Sequence, residues 1–171
     1  MTQEKQSIVD EIEKAFRDTS RPDVSNIVVE FELDPERSEL RDRLKNLHWS
    51  EIPVYWGKVF PPEPFLHHGD DLIPLTPEGL RYFLPGYMIS CILYPDEVDV
   101  MLQYVGDFLT PPRPGSCDEQ FFAELVSGLS RYQGEAICRF MKFLLDEYHS
   151  DDGPDSDIFS AVEYWEKFGK R

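Results

Sequence analysis

Cysteine is scarce in this sequence, and its placement excludes a disulfide framework. The three residues are Cys91, Cys117 and Cys138, an odd number with no C-x-x-C pair among them. Small secreted domains that depend on disulfides have an even and dense set of cysteines. The sequence therefore predicts reduced thiols, which favour a cytoplasmic location.

Long apolar runs and basic residues are also scarce. The longest apolar stretch, at 80–94, contains Arg81 and Pro85 and is shorter than the roughly 20 residues of a membrane-spanning helix. The first six residues are polar and lack the apolar core of a signal peptide. Lysine and arginine number 17 against 33 acidic residues, for a net charge of −16. Because such a surface repels phosphate, we expect no nucleic-acid binding, and the short apolar stretch predicts that the protein does not span a membrane.

Signatures of catalysis and of metal binding are missing as well. The sequence has no G-x-S-x-G, no P-loop, no G-x-G-x-x-G and no H-E-x-x-H. The loop at 67–71 offers two histidines and two aspartates, but adjacent histidines do not easily bind one ion. The acidic stretch at 146–157 departs from an EF-hand loop at Gly153. We therefore predict no metal, no cofactor and no catalytic residue, although enzymatic activity stays open.

What the sequence does have is enough apolar material for a sizeable core, at 41% hydrophobic and 13% aromatic residues. Apolar residues recur with the helical period in several segments, and S-x-x-[EQ] capping boxes at Ser116 and Ser130 start two of them. One β-rich run, Ile27–Phe31, is interpreted as an extended segment laid over helices. Ser50 is predicted to cap a short helix that carries residues 52–59. The sequence predicts a mainly α fold: a compact single-domain bundle of about seven or eight helices over residues 1–171, the last at about 155–168.

Residues 75–94 are predicted to be the central helix of that bundle. Thr76 is the expected N-cap, with Pro77 at the first helical position. Only two residues between 80 and 94 are strongly polar, so no face is left for water and the helix should be buried. Pro85 lacks an N–H and clashes with the carbonyl of Arg81, which predicts a kink.

The central stretch L-T-P-E-G-L-R-Y-F-L-P-G-Y at 75–87 resembles the hallmark L-T-P-E-[GA]-x-R-Y-[YF]-L-P-[AG]-Y of an uncharacterised, largely bacterial family of unknown function. Phe83 and Gly86 stand where Tyr and Ala are commoner in that pattern. Further matches at 15–16, 48–52 and 133–140 extend the likeness over about residues 8–148. The resemblance implies one folded unit and a bacterial source. It implies no reaction, cofactor or catalytic residue.

Five residues in and near this motif form the candidate functional cluster. Glu78 and Arg81 are three apart on a helix and can pair, and the phenols of two tyrosines need hydrogen-bond partners if they are buried. The cluster either lines a small-molecule cleft at the kink or is a buried network that fixes the kink. We favour the network, and we predict that Glu78 and Arg81 are largely buried with Trp49 packed on the helix. Its members are Trp49, Glu78, Arg81, Tyr82 and Tyr87.

Two functions remain from different classes. The net charge and the missing catalytic signatures favour a non-catalytic, cytoplasmic interaction domain that binds a protein with a basic surface, in the manner of an immunity or antitoxin-like protein. The alternative is an enzyme of unrecognised type with a small-molecule pocket at Glu78, Arg81, Tyr82 and Tyr87. The oligomeric state is left open.

Overall fold

The computed structural model describes residues 2–29, 35–53, 74–98, 101–148 and 156–170, and within these ranges the fold is mainly α, as predicted. The part described contains seven α-helices, two 3-10 helices and one isolated antiparallel bridge. The α-helices are α1 (Gln3–Phe16), α2 (Pro35–Leu44), α3 (Pro77–Leu93), α4 (Met101–Leu109), α5 (Glu119–Ser127), α6 (Arg131–Tyr148) and α7 (Ser156–Phe168), and the 3-10 helices are η1 (Val24–Asn26) and η2 (Trp49–Glu51).

The chain divides into two compact units. The terminal unit contains residues 1–17 and 106–171, and the middle unit contains residues 18–105. The terminal unit is therefore built from both ends of the chain. That the whole chain is a single domain stays a prediction.

In the terminal unit, α6 packs against both α1 and α7. Helix α1 buries Ile8, Ile12 and Phe16, four residues apart, as the helical period predicts. Helix α6 approaches α7 at Gly134, where a Cβ atom would lie 2.2 Å from a ring carbon of Phe168. Because glycine has no side chain, the aromatic ring can lie directly on the helix backbone.

Trp165 of α7 is the largest fully buried side chain of the terminal unit. Its indole Nε1 donates a hydrogen bond of 2.7 Å to the carbonyl of Leu109, the last residue of α4. The rings of Phe122, Tyr164 and Phe168 lie around it, with centroids 5.2–6.3 Å away. Trp165 therefore both fills the core and satisfies a carbonyl that a helix end leaves without a partner.

One predicted capping box is confirmed and the other is wrong. At the start of α6, the N–H of Gln133 donates to Ser130 Oγ at 3.3 Å, and the N–H of Ser130 donates to Gln133 Oε1 at 2.8 Å. At Ser116, the hydroxyl oxygen instead accepts from the N–H of Asp118 at 3.0 Å, and α5 begins only at Glu119. The serine oxygen that the capping box requires is therefore engaged in a local turn.

In the middle unit, the segment after η1 pairs with the chain that leads into α3. Val28 and Leu75 form the antiparallel bridge, and the N–H of Val29 donates to the carbonyl of Pro74 at 2.8 Å. The predicted extended segment thus has a definite partner, which its sequence did not reveal. Its last two residues, 30 and 31, lie outside the described residues.

Helix α3 is buried along almost its whole length, which confirms the prediction of a central buried helix. It passes through Pro85 as one element from Pro77 to Leu93. Since proline has no N–H, the carbonyl of Arg81 lacks the usual donor four residues on. The kink that Pro85 predicts stays a prediction. One turn later, the hydroxyl of Ser90 donates to the carbonyl of Gly86 at 2.8 Å.

Candidate functional site on the central helix

Two glycines on one side of α3 mark where other backbone segments lie against it. A Cβ atom at Gly79 would lie 2.1 Å from the carbonyl oxygen of Ile27, and one at Gly86 would lie 2.3 Å from that of Trp49. Seven residues bring a helix back to within roughly 20° of its starting direction, so both glycines face the same way. The motif glycines therefore serve close backbone approach.

The start of α3 is tied to η1 through polar contacts. Thr76 Oγ1 accepts from the N–H of Gly79 at 2.9 Å, which confirms Thr76 as the N-cap, and its hydroxyl donates to the carbonyl of Asn26. The side-chain amide of Asn26 donates to Glu78 Oε2 at 3.1 Å. Glu78 is solvent-exposed, so the prediction of a largely buried carboxylate is wrong. Glu78 lies in the first turn of α3, where its carboxylate faces water and is stabilised by the positive end of the helix dipole.

The 3-10 helix η2 is capped by a histidine. His48 Nδ1 accepts from the N–H of Ser50 at 3.2 Å, and Glu51 Oε2 accepts from the N–H of His48 at 2.6 Å. His48 and Glu51 form the reciprocal capping pair of η2, so Ser50 lies inside that 3-10 helix and not at its start. Whether Ser50 caps the helix that was expected over 52–59 stays a prediction. Residues 54–59 of the predicted short helix lie outside the described residues.

Trp49 packs against α3, as predicted. Its side chain is 3% exposed, and its carbonyl lies on the bare backbone at Gly86. The indole Nε1 is buried and has no hydrogen-bond partner among the residues that the structure describes. A buried N–H without an acceptor is costly, which makes this atom unusual in the core.

Tyr82 of α3 lies beside Trp49 of η2. Groups from distant parts of the middle unit surround its ring. It is 3% exposed, and its ring makes edge contacts with Phe83 and His48, at centroid distances of 4.8 and 6.0 Å. The guanidinium carbon of Arg21 lies 5.8 Å from the ring centroid. Arg21 Nη2 also donates to the carbonyl of Leu44 at 2.7 Å, at the end of α2.

The surroundings of Tyr82 keep its phenol protonated at neutral pH. Burial raises the pKa of Tyr82 above its ordinary value of 10.0, and the negative charge of Glu51 acts in the same direction. The positive charge of Arg21 and a backbone hydrogen bond with Trp49 oppose this rise. A phenol in this state is a hydrogen-bonding group and not a general base.

The structure brings together only some of the five cluster residues. Trp49 and Tyr82 are neighbours, whereas Glu78 lies at the helix start with Asn26. Arg81 is half-buried instead of largely buried, and Tyr87 is buried but roughly 140° around the helix from Tyr82. Whether the five act as one functional cluster stays a prediction.

Sequence reasoning missed Arg21 and His48 as neighbours of Tyr82. Arg21 precedes a proline in a connector and is 61 positions from Tyr82, so no local pattern joins them. The match at 48–52 drew attention to the segment of His48 but gave the histidine no role. Contacts over such sequence separations depend on tertiary packing, which single-sequence patterns do not report.

Two of the three cysteines are held as thiols by burial. Desolvation raises the pKa of Cys91 to about 12 and also raises the pKa of Cys138. Neither forms the thiolate that nucleophilic catalysis needs at neutral pH. Among the described ranges, no group of three or more histidine, cysteine or acidic side chains is placed to bind a metal ion, and the loop at 67–71 lies outside those ranges. No helix in the part described is long and apolar enough to cross a bilayer.

The described part of the chain is therefore a mainly α protein, in which a buried helix that contains a proline lies against other backbone segments at two glycines. A model for a family of unknown function (DUF6714) matches residues 4–168, and the chain belongs to that family. The match includes α7, beyond the region that the resemblance had covered. No curated protein and no solved structure matches the chain.

Proposed function

We propose that the protein is a non-catalytic interaction domain whose partner is a protein with a basic surface. The observation that carries the proposal is the distribution of exposed charge in the middle unit. In the described part of that unit every carboxylate is exposed, but only one cation is, Arg21. The exposed carboxylates are Asp18, Asp23, Glu36, Glu39, Asp42, Glu51, Glu78, Asp96 and Glu97, and the half-buried cations are Arg37, Arg41, Arg43, Lys45 and Arg81.

The terminal unit has a different balance. Within its described residues, 12 exposed carboxylates face eight exposed cations. Several of these groups pair with each other, as Lys167 does with Glu163 at 3.4 Å and Arg131 with Glu135 at 2.9 Å. Among fully exposed residues the acidic excess is therefore larger in the middle unit, although its five half-buried cations also carry charge and Lys45 pairs with Asp42 at 2.9 Å.

Among the described residues of the middle unit, nine exposed carboxylates and one exposed cation favour a partner of opposite charge. Complementary potentials accelerate encounter and select against other acidic proteins, and the effect weakens as salt screens it. A bacterial cytoplasmic location fits the free cysteines. Neutralisation of a basic protein, as immunity or antitoxin-like proteins do, is the mode that we propose.

The test compares two matched charge variants of the full chain. Full-length protein is used to capture partners from a bacterial lysate at low salt, and the supporting result is a basic protein that elutes as salt rises. Four neutralisations in the middle unit (D18N, D23N, E39Q and E97Q) should weaken its binding at least about tenfold, since each removed charge contributes several tenths of a kcal/mol.

The control variant neutralises four carboxylates of the terminal unit (E4Q, E13Q, E119Q and D146N) and should bind nearly as the unmodified protein does. Equal weakening in both variants would show that binding follows net charge and not the middle unit. Capture that is insensitive to salt, or of acidic proteins only, would contradict the proposal.

The alternative, an enzyme with a pocket at Glu78, Arg81, Tyr82 and Tyr87, has less support. Glu78 is engaged with Asn26 at the exposed start of α3, and Tyr82 is a buried phenol with a raised pKa. No described contact assembles an acid, a base and a nucleophile around one point.

A further inference from the structure

Arg21 is held in a fixed position at the surface with most of its donors unused. Its guanidinium lies over the ring of Tyr82, and one of its five N–H groups donates to the carbonyl of Leu44. The residue is exposed, yet within the described part of the chain no carboxylate forms an ion pair with it. This is unusual in a unit whose described surface carries nine carboxylates.

His48 presents a second donor beside the same ring. Because His48 Nδ1 accepts from the backbone N–H of Ser50, the proton of the neutral imidazole lies on Nε2. The imidazole is exposed, and its centroid is 6.0 Å from that of Tyr82. Arg21 and His48 thus both contact the ring of Tyr82.

We infer that Arg21 and His48 form a binding site for a small oxyanion, a carboxylate or phosphate group, beside Tyr82. A guanidinium that is already held on an aromatic ring loses little side-chain entropy when it binds, and its planar fork matches two oxygens of such a group. This site uses donors, whereas the proposed protein partner uses carboxylates, so the two proposals are independent.

The charges that oppose the site are Glu51 and the exposed carboxylates of Asp18 and Asp23, which are three and two positions from Arg21 in the sequence. The carboxylate of Glu51 accepts the backbone N–H of His48 and is close enough to raise the pKa of Tyr82. At physiological salt, charges beyond about 8 Å are largely screened, so the net charge of −16 matters less than these neighbours. The local balance is between the guanidinium of Arg21 and the carboxylates of Glu51, Asp18 and Asp23.

The test is a nuclear magnetic resonance titration of the full chain at constant ionic strength, with inorganic phosphate in one arm and acetate in the other. The signals followed are Arg21 Nε–H, the His48 ring and the Trp49 indole N–H. We expect shifts that saturate in at least one arm, and the arm that saturates identifies the group preferred. The R21Q variant should weaken binding at least about tenfold, which is the effect of losing a charge-assisted hydrogen bond.

Two further variants make the result decisive. E51Q keeps the cap acceptor but removes the repelling charge, and should strengthen binding several-fold. R131Q is the matched control, because Arg131 is also exposed but already paired with Glu135, and should leave binding unchanged.

Shifts that do not saturate, or that are the same in R21Q and R131Q, would overturn the inference. If R21Q loosens the fold, as a loss of signal dispersion would show, R21K replaces it, since lysine keeps the charge without the fork. Binding that E51Q does not strengthen would then overturn it.

Discussion

The backbone contact at Gly86 gives the sharpest prediction of stability. In a G86A variant the new methyl group would lie 2.3 Å from the carbonyl oxygen of Trp49 and 2.7 Å from Cβ of Ile52. The Trp49 oxygen is a backbone atom and the Ile52 Cβ is attached directly to the backbone, so a side-chain rotation can move neither of them away. The segment of η2 must move off α3 by several tenths of an ångström or more.

The expected cost combines opposing effects. Alanine favours the helix over glycine by about 1 kcal/mol. Overpacking in a closely packed core costs about 1–3 kcal/mol, and the upper part of that range applies here because a backbone segment must move. We expect G86A to lower the free energy of unfolding by about 1–2 kcal/mol.

Gly106 provides the matched control. It also lies inside a helix, but its added methyl would meet only Leu144 Cδ1, at 3.8 Å, an ordinary contact. G106A should therefore raise the free energy of unfolding by about 0.5–1 kcal/mol. Urea denaturation followed by circular dichroism measures both variants. If G86A is as stable as G106A, the account of α3 as a surface for close backbone approach is refuted.

Three more predictions concern individual side chains. Because the folded-state pKa of Tyr82 is raised, its contribution to stability is fully present below about pH 10 and is lost as pH rises through the folded pKa; Y82F should lose less stability in thermal melts between pH 8 and 11. S130A should destabilise α6 by about 1 kcal/mol in urea, whereas S130T, which keeps the cap oxygen, should not. W165F should cost about 2–4 kcal/mol, since it leaves the buried carbonyl of Leu109 without its donor and opens a cavity.

The parts of the fold that follow from local patterns could be predicted from the sequence. The spacing of Ile8, Ile12 and Phe16 determines the buried face of α1, and the oxygens of Thr76 and Ser130 cap the helices that follow them. These features depend on helical geometry over a few residues, which the sequence contains directly.

The features that could not be predicted depend on packing between distant segments. Glu78 is exposed and accepts a hydrogen bond from Asn26, 52 residues away in the sequence. Arg21 reaches Tyr82 across 61 positions. The cap at His48 was missed because histidine is not among the favoured N-cap residues, although Glu51 three positions later is the usual reciprocal partner.

The assembly of the terminal unit from both chain ends has a consequence for the order of synthesis. Helix α1 is translated before its packing partner α6. Helix α6 begins at Arg131, about 115 residues after the end of α1. At roughly 5–20 residues per second, α1 waits on the order of 6–23 s for that partner. During this interval its apolar stripe, Ile8, Val9, Ile12 and Phe16, lacks α6, the helix of its own unit that packs against it, whereas the middle unit is fully translated before α6 begins. Nascent chains halted before residue 131 should therefore expose this stripe to chaperones, and chains released after residue 148 should not.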